Sequence, residues 1–172
     1  MKLAAKQLRA SEPAKSDLEK IRRRDIYIIC DNVLDTYNIG SIFRLADAVA
    51  ARCVYLCGQS ETPPNPRIAK ASVGTDKWVL WQYASTAVEA IAKVKGQSAK
   101  CKVIAIEQNK GSIDYRKANY ELPIAFIVGH ETEGVSKEVL AMADEIVEIP
   151  MFGINISLNV MVSLAIVLFR TF

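Results

Sequence analysis

The sequence predicts an α/β fold, a mostly parallel sheet flanked by helices, on three observations. Its short apolar runs are apolar at successive positions, as strands covered on both faces are. Segments with helical spacing alternate with those runs, the pattern of strand–helix–strand units. The 172 residues, 51% of them hydrophobic, fit one domain that can bury its own core.

Taken in order, "IYIIC" (26–30) is the first strand. A helix follows from 38 to about 50, with Ile39, Ile42, Phe43, Ala46 and Val49 at helical spacing on its core side. "CVYLCG" (53–58) is the next strand, "TPPNP" (62–66) a loop and "WVLWQY" (78–83) a further strand. The helix "STAVEAIAKVK" (85–95) leads to the strands "CKVIAIE" (101–107) and "PIAFIVG" (123–129). A helix from 136 to about 143 and the strand "EIVEIP" (145–150) precede the terminal helix. This pattern leaves the strand order open.

From Ile149 to Phe169 no residue is charged. Pro150 and Gly153 suit a loop, and "SLN" (157–159) suits a helix entry. The continuous apolar part, 160–169, is half the ~20 residues a membrane span needs. The segment therefore reads as a buried helix and not an anchor, with Leu158, Val160, Leu164, Ile166 and Leu168 in the core. Burying each contributes roughly 1.5–3 kcal/mol. An unpaired buried Asn159 amide would cost about 1–3 kcal/mol, so Ser157 and Asn159 are expected to hydrogen-bond. A plain helix cap and a functional site both satisfy that expectation.

The net charge of +3 is unevenly spread. Residues 1–25 hold eight Lys/Arg against four Asp/Glu, so the remainder holds fourteen against fifteen. The boundary is set at 1–24, a basic helical extension, followed by the main domain, 25–172. Arg22, Arg23 and Arg24 suit either a phosphate-contacting arm or a solvated helix face. No apolar h-region marks a secretory signal in the first residues. The four cysteines and the single histidine match no metal-ligand spacing, and a reduced, cytoplasmic protein without a metal is expected.

Two further stretches stand out. In "NIGSIFRLADA" (38–48), Asn38, Ser41 and Arg44 lie away from the core side. Arg44 would lean back over Gly40 toward the helix N-terminus and form an anion seat; an Arg44–Asp47 surface pair is the plainer alternative. In "IVGHETEGVS" (127–136), a buried strand ends at Gly129 and a polar loop carries Glu131 and Gly134. Ligands in open α/β sheets bind at such strand ends. His130, beside Glu131, is a candidate base with little to support it.

Together with "IPMFG" and "SLNV", these stretches resemble the motifs of the SpoU (TrmH-like) RNA 2′-O-ribose methyltransferases of the SPOUT superfamily. The matching residues are Asn38, Gly40, Arg44, Ala46, Asp47 and Ala48; Gly129, Glu131 and Gly134; and Ile149, Pro150, Met151, Gly153, Ser157, Leu158, Asn159 and Val160. "KASVGT" (70–75) resembles a family segment more weakly. The resemblance implies a C-terminal trefoil knot, S-adenosylmethionine as methyl donor, and methylation of a ribose 2′-hydroxyl in transfer or ribosomal RNA. It implies a cofactor site of Ile127, Val128, Gly129, Ile149, Met151, Ser157 and Leu158. The catalytic cluster it implies is Asn38, Arg44, Glu131, Ser157 and Asn159, in a homodimer whose active sites are shared. Arg44 also joins Arg22–Arg24 as an RNA contact. Base methylation by a related SPOUT enzyme, or RNA binding without catalysis, are the alternatives. Met161, Ala50 and His130 depart from the family pattern, which has small residues, Gly, and Asn or Ser there.

Overall fold

The computed structural model describes residues 7–8 and 12–172. A one-turn helix α1 (Lys15–Leu18) precedes β1 (Arg24–Asp31), α2 (Thr36–Ala48), β2 (Ala51–Cys57), α3 (Pro66–Ser72) and β3 (Trp81–Ala84). Then come α4 (Ala87–Gln97), β4 (Lys102–Ile106), β5 (Ile113–Asp114), β6 (Ile124–Gly129), α5 (Lys137–Met142), β7 (Glu145–Glu148) and α6 (Val160–Leu168). The strands form one sheet in the order β3-β2-β1-β6-β4-β7-β5, and every neighbouring pair is parallel. The expected parallel α/β fold is present.

Strand residues alternate between two cores. Ile26, Ile28, Val54, Leu56, Ile104 and Phe126 pack with α2, Ile68 of α3 and Leu164, Val167 and Leu168 of α6. Tyr27, Ile29, Tyr55, Val103 and Ile127 pack with Ile91 and Val94 of α4 and Val139 of α5 on the other face. Both faces are covered, which explains why the strands read as continuous apolar runs.

Residues 1–6 and 9–11 of the expected N-terminal extension lie outside the described residues. β1 begins at Arg24, the last residue assigned to that extension. Trp78 to Leu80, expected as strand, instead follow a 3₁₀ turn (Thr75–Lys77), and β3 starts only at Trp81.

Helix α2 begins two residues early, because the Asp35 side chain accepts the Tyr37 N–H at 2.8 Å and caps it. Asn38 is therefore in the first turn and is 4% exposed, not on an open face. Gly40 does not clear room for Arg44. A Cβ there would stand 2.5 Å from the Ala71 Cβ and 2.7 Å from the Ile68 carbonyl, so the glycine lets α2 and α3 touch backbone to backbone. Arg44 is exposed and makes no hydrogen bond or ion pair among the described residues, and Asp47 accepts from Trp78 Nε1 at 2.7 Å instead.

The "KASVGT" run closes α3. Val73 and Gly74 take positive φ, and the Ser72 hydroxyl joins Asp76 and accepts the Gly74 N–H. Past α2, Ala50 has φ 51°, a left-handed conformation that glycine adopts more cheaply.

Helix α6 is less buried than its sequence suggests. Leu164 and Leu168 are in the core, but Val160 and Ile166 are half-buried and Leu158 is exposed. The helix is apolar on nearly every side, so some of its surface faces outward whichever way it rolls. Among the described residues, no helix is long and apolar enough to cross a membrane.

Candidate functional site

The carboxyl ends of β4, β6 and β7 open into one cleft of about 600 Å³, closed on its far side by the segment 149–159 and the start of α6. Its construction begins with two glycines. A Cβ on Gly129 would lie 2.2 Å from the Gly134 carbonyl and 2.3 Å from the Val135 nitrogen, so no larger residue permits this approach. His130 and Gly134 exchange two backbone hydrogen bonds, of 3.0 and 2.9 Å, and close a turn over residues 131–133. Gly134, at φ 71°, also leaves room for Glu107, whose Oε2 would be 2.1 Å from an added Cβ. The Gly-x-Glu-x-x-Gly spacing is thus the geometry of one tight turn.

That turn presents Glu131 to the loop before α2. Its carboxylate accepts the Leu34 and Asp35 N–H groups at 3.1 and 2.9 Å and the Asn38 amide at 3.0 Å. Partial burial pushes its pKa up, but those donors, with the residue's own backbone N–H, outweigh it and hold the carboxyl below its ordinary value. Asn38 Oδ1 in turn accepts from Asn159 Nδ2 at 2.9 Å. Asn159 Oδ1 accepts the N–H groups of Met161 and Val162 and caps α6. Two contacts, spanning 93 and 121 positions, thus join three residues into one bonded chain, Glu131–Asn38–Asn159.

The other expected residues divide. Val128, Gly129, Ile149, Met151, Ser157 and Leu158 line the cleft, together with His130, Glu131 and Asn159. Ile127 does not line it: it is fully buried in the core behind, because its strand turns that side chain to the opposite face. Ser157 bonds Asn155 Oδ1 and not the bonded chain. Arg44 stands apart from the cluster in this chain. Arg23 is tied to the Trp78 carbonyl at 2.9 Å, and Arg24 lies over the Phe172 ring at 4.0 Å, so of the three arginines only Arg22 is exposed.

The departures from the motifs have local explanations. Met161 is half-buried against the core and does not line the cleft, so its bulk takes no space there. His130 Nδ1 accepts the N–H groups of Thr132 and Glu133, at 3.0 and 3.2 Å, as an Asn or Ser oxygen in a turn would. That role as acceptor leaves little for the imidazole to do as a base.

Sequence reasoning missed Asp31 and Glu107. Asp31, 3% exposed at the end of β1, accepts the Ser136 N–H at 2.9 Å and so anchors the start of α5. Glu107 accepts the Val135 N–H at 2.8 Å and the Gln108 N–H at 2.9 Å. Their one visible signal is a carboxylate directly after an apolar strand. Glu107, Glu131 and Glu148 line the cleft, and no lysine or arginine does among the described residues. The chamber suits a cationic small molecule with an apolar part.

Known proteins share this chain's sequence pattern and fold. The model of the SpoU rRNA Methylase family matches residues 25–169. A tRNA (guanosine(18)-2′-O)-methyltransferase of Aquifex aeolicus is 32% identical over 154 residues, which cover 89% of this chain and 71% of that protein. The enzyme of the same name from Escherichia coli K12 is 32% identical over 152 residues, 87% of this chain and 63% of the relative. The crystal structure of the SpoU methyltransferase AviRb from Streptomyces viridochromogenes in complex with AdoMet superposes with a TM-score of 0.79. That match is at 26% identity and covers 92% of this chain and 61% of that one.

Proposed function

Because this chain belongs to the SpoU rRNA methylase family, we propose that it transfers a methyl group from S-adenosylmethionine to a ribose 2′-hydroxyl of structured RNA, transfer or ribosomal. The observation that carries this reading is the bonded chain Glu131–Asn38–Asn159 at the mouth of a carboxylate-lined cleft. The AdoMet-bound neighbour and the two tRNA 2′-O-methyltransferase relatives support the same chemistry.

The cleft fits the donor by chemistry as well as size. Glu107 and Glu148 offer negative charge to a cation, and Val128, Ile149, Met151 and Leu158 offer apolar wall. Gly129 exposes backbone at the strand end, and Ser157 offers a hydroxyl. When bound, the donor supplies an electrophilic methyl group on a sulfonium. The protein must then align the hydroxyl and let its proton leave. Asn38 and Asn159 each keep one amide N–H not used within the chain, available to an incoming ribose or phosphate oxygen. Glu131, with both oxygens already accepting, orients the Asn38 amide and through it Asn159, and is a weak base. The Arg44 guanidinium holds the adjacent phosphate and stabilises the developing alkoxide, and the proton leaves through that phosphate, a water or Glu131.

The active unit in this reading is a homodimer with shared sites. Arg44 lies six residues, about 9 Å of helix axis, from Asn38 and does not join it, which fits service to a partner's site. Phe152, Ile154, Ile156, Val162, Phe169 and Phe172 are exposed, an apolar surface suited to a second copy. Residues 25–172 are the catalytic domain and 1–24 a basic extension; of the four arginines expected to contact RNA, Arg22 and Arg44 are exposed. The implied trefoil knot belongs to the same reading: after β7 the chain returns to set α6 against β4, β6 and α2. Four buried free cysteines fit a reducing cytoplasm.

Labelled S-adenosylmethionine should transfer its methyl group to unmodified bulk transfer or ribosomal RNA, with the label recovered in 2′-O-methylnucleosides after digestion. Label on a base overturns the ribose assignment. No label from a chain that binds the donor, across both RNA classes, overturns the enzymatic reading.

A further inference from the structure

We propose that His130 is a positioning residue: its Nδ1, as a hydrogen-bond acceptor, holds the turn that aims Glu131 at Asn38, so the site is assembled only while that nitrogen is unprotonated. The inference rests on the methyltransferase reading and deepens it by naming what sets the site's geometry and its response to acid.

The turn leaves few alternatives. Gly134 N–H goes to the His130 carbonyl, and the N–H groups of Thr132 and Glu133 go to His130 Nδ1. One residue therefore takes the donors of three successive positions, and all three lie directly after Glu131. Without the nitrogen, two peptide N–H groups lose their acceptor and the peptides between Glu131 and Gly134 are free to rotate toward water. Glu131 is what that rotation would displace. Its three bonds to Leu34, Asp35 and Asn38 are each 3.1 Å or shorter, so a small shift breaks the set.

The charged groups around the turn come from every neighbouring element. They are Glu131 and Glu133 on the turn, Asp31 at the end of β1, Asp35 before α2, Glu107 after β4, Glu148 at the end of β7 and Lys137 at the start of α5; the segment 149–159 brings none. Among the described residues, none of the carboxylates accepts from the imidazole. The ring is held through its acceptor nitrogen alone. Protonation converts Nδ1 into a donor facing two donors, and both bonds are lost.

The test compares the wild type with His130→Asn and His130→Ala in the full chain. An Asn Oδ1 accepts the same N–H groups and does not titrate; Ala accepts nothing. Methyl transfer to bulk RNA is followed between pH 8 and 5, with kcat and KM separated, and amide exchange protection at Thr132 and Glu133 is measured over the same range. At pH 8, His130→Ala should lose about tenfold in kcat, the order that two hydrogen bonds carry, while His130→Asn stays within about threefold. On acidification, wild-type kcat and the protection of both amides should fall together, and His130→Asn should keep both. The proposal is overturned if His130→Ala equals the wild type, if His130→Asn is as impaired as His130→Ala, or if it shows the same loss in acid. Should no variant methylate any RNA, the functional reading fails instead, and amide protection still decides whether His130 braces the turn.

Discussion

Replacing Asn38 by Asp tests the bonded chain at its centre. The substitution changes one atom: the Nδ2 group that donates to Glu131 at 3.0 Å becomes an oxygen, while the oxygen that accepts from Asn159 is retained. Two effects add. A hydrogen bond to a charged acceptor is lost, about 1.5–3 kcal/mol. Two carboxylates then stand about 3 Å apart, a repulsion of about 5.5 kcal/mol at an effective dielectric of 20. The introduced carboxylate would be buried but Glu131 faces solvent, so screening leaves a total loss of about 3–5 kcal/mol at pH 8. The sign with pH follows from linkage. The folded pair holds one proton more tightly than the unfolded chain, so the folded pKa of one carboxyl is raised. The deficit is then complete above that raised value, shrinks as the pH falls through it, and is smallest near pH 4, where the shared proton restores a donor. Urea unfolding of both proteins between pH 8 and 4 measures this directly. A deficit below about 1 kcal/mol at pH 8, or one that does not shrink on acidification, would refute the bonded arrangement of Asn38 and Glu131.

Three other outcomes follow from the structure. Ala50→Gly should stabilise the fold by about 0.5–1 kcal/mol in urea or thermal unfolding, since left-handed strain of about 1–2 kcal/mol exceeds the roughly 0.5–1 kcal/mol entropic cost of glycine. Gly129→Ala should lose about 2–4 kcal/mol and donor binding in calorimetry, because the added Cβ meets only backbone and must part His130 from Gly134. Val162→Arg, at an exposed position of α6, should halve the sedimenting mass and abolish methyl transfer while circular dichroism stays unchanged; an active monomer would remove the case for shared sites.

The central strands were legible because both faces of each are buried, which writes apolar residues at every position from Ile26 to Cys30 and from Ile124 to Val128. β5 escaped notice because it is two residues long and is defined by its pairing with β7. Asn38 was legible as a motif residue but was placed on the wrong face, since the cap at Asp35 starts the helix earlier than its apolar spacing does. Gly40 shows the same limit: a missing side chain can serve a ligand or a neighbouring helix, and only α3 at 2.5 Å decides between them. Asp31 and Glu107 answer to backbone N–H groups 105 and 28 residues away, and backbone donors leave no signature in sequence. Helical periodicity named the residues of α6 without weighting them, because a helix apolar on all sides carries no record of which side is covered.

Asn159 holds α6 by its oxygen and Asn38 by its nitrogen, a contact spanning 121 residues. In the order of synthesis, the bonded chain Glu131–Asn38–Asn159 can close only after residue 159 has been made. Until residue 159 has been made and docked, Asn38 has a vacant acceptor and Glu131 orients only half a pair. Contacts so distant in sequence also form slowly. The bonded chain therefore closes only once a segment 121 residues beyond Asn38 has docked.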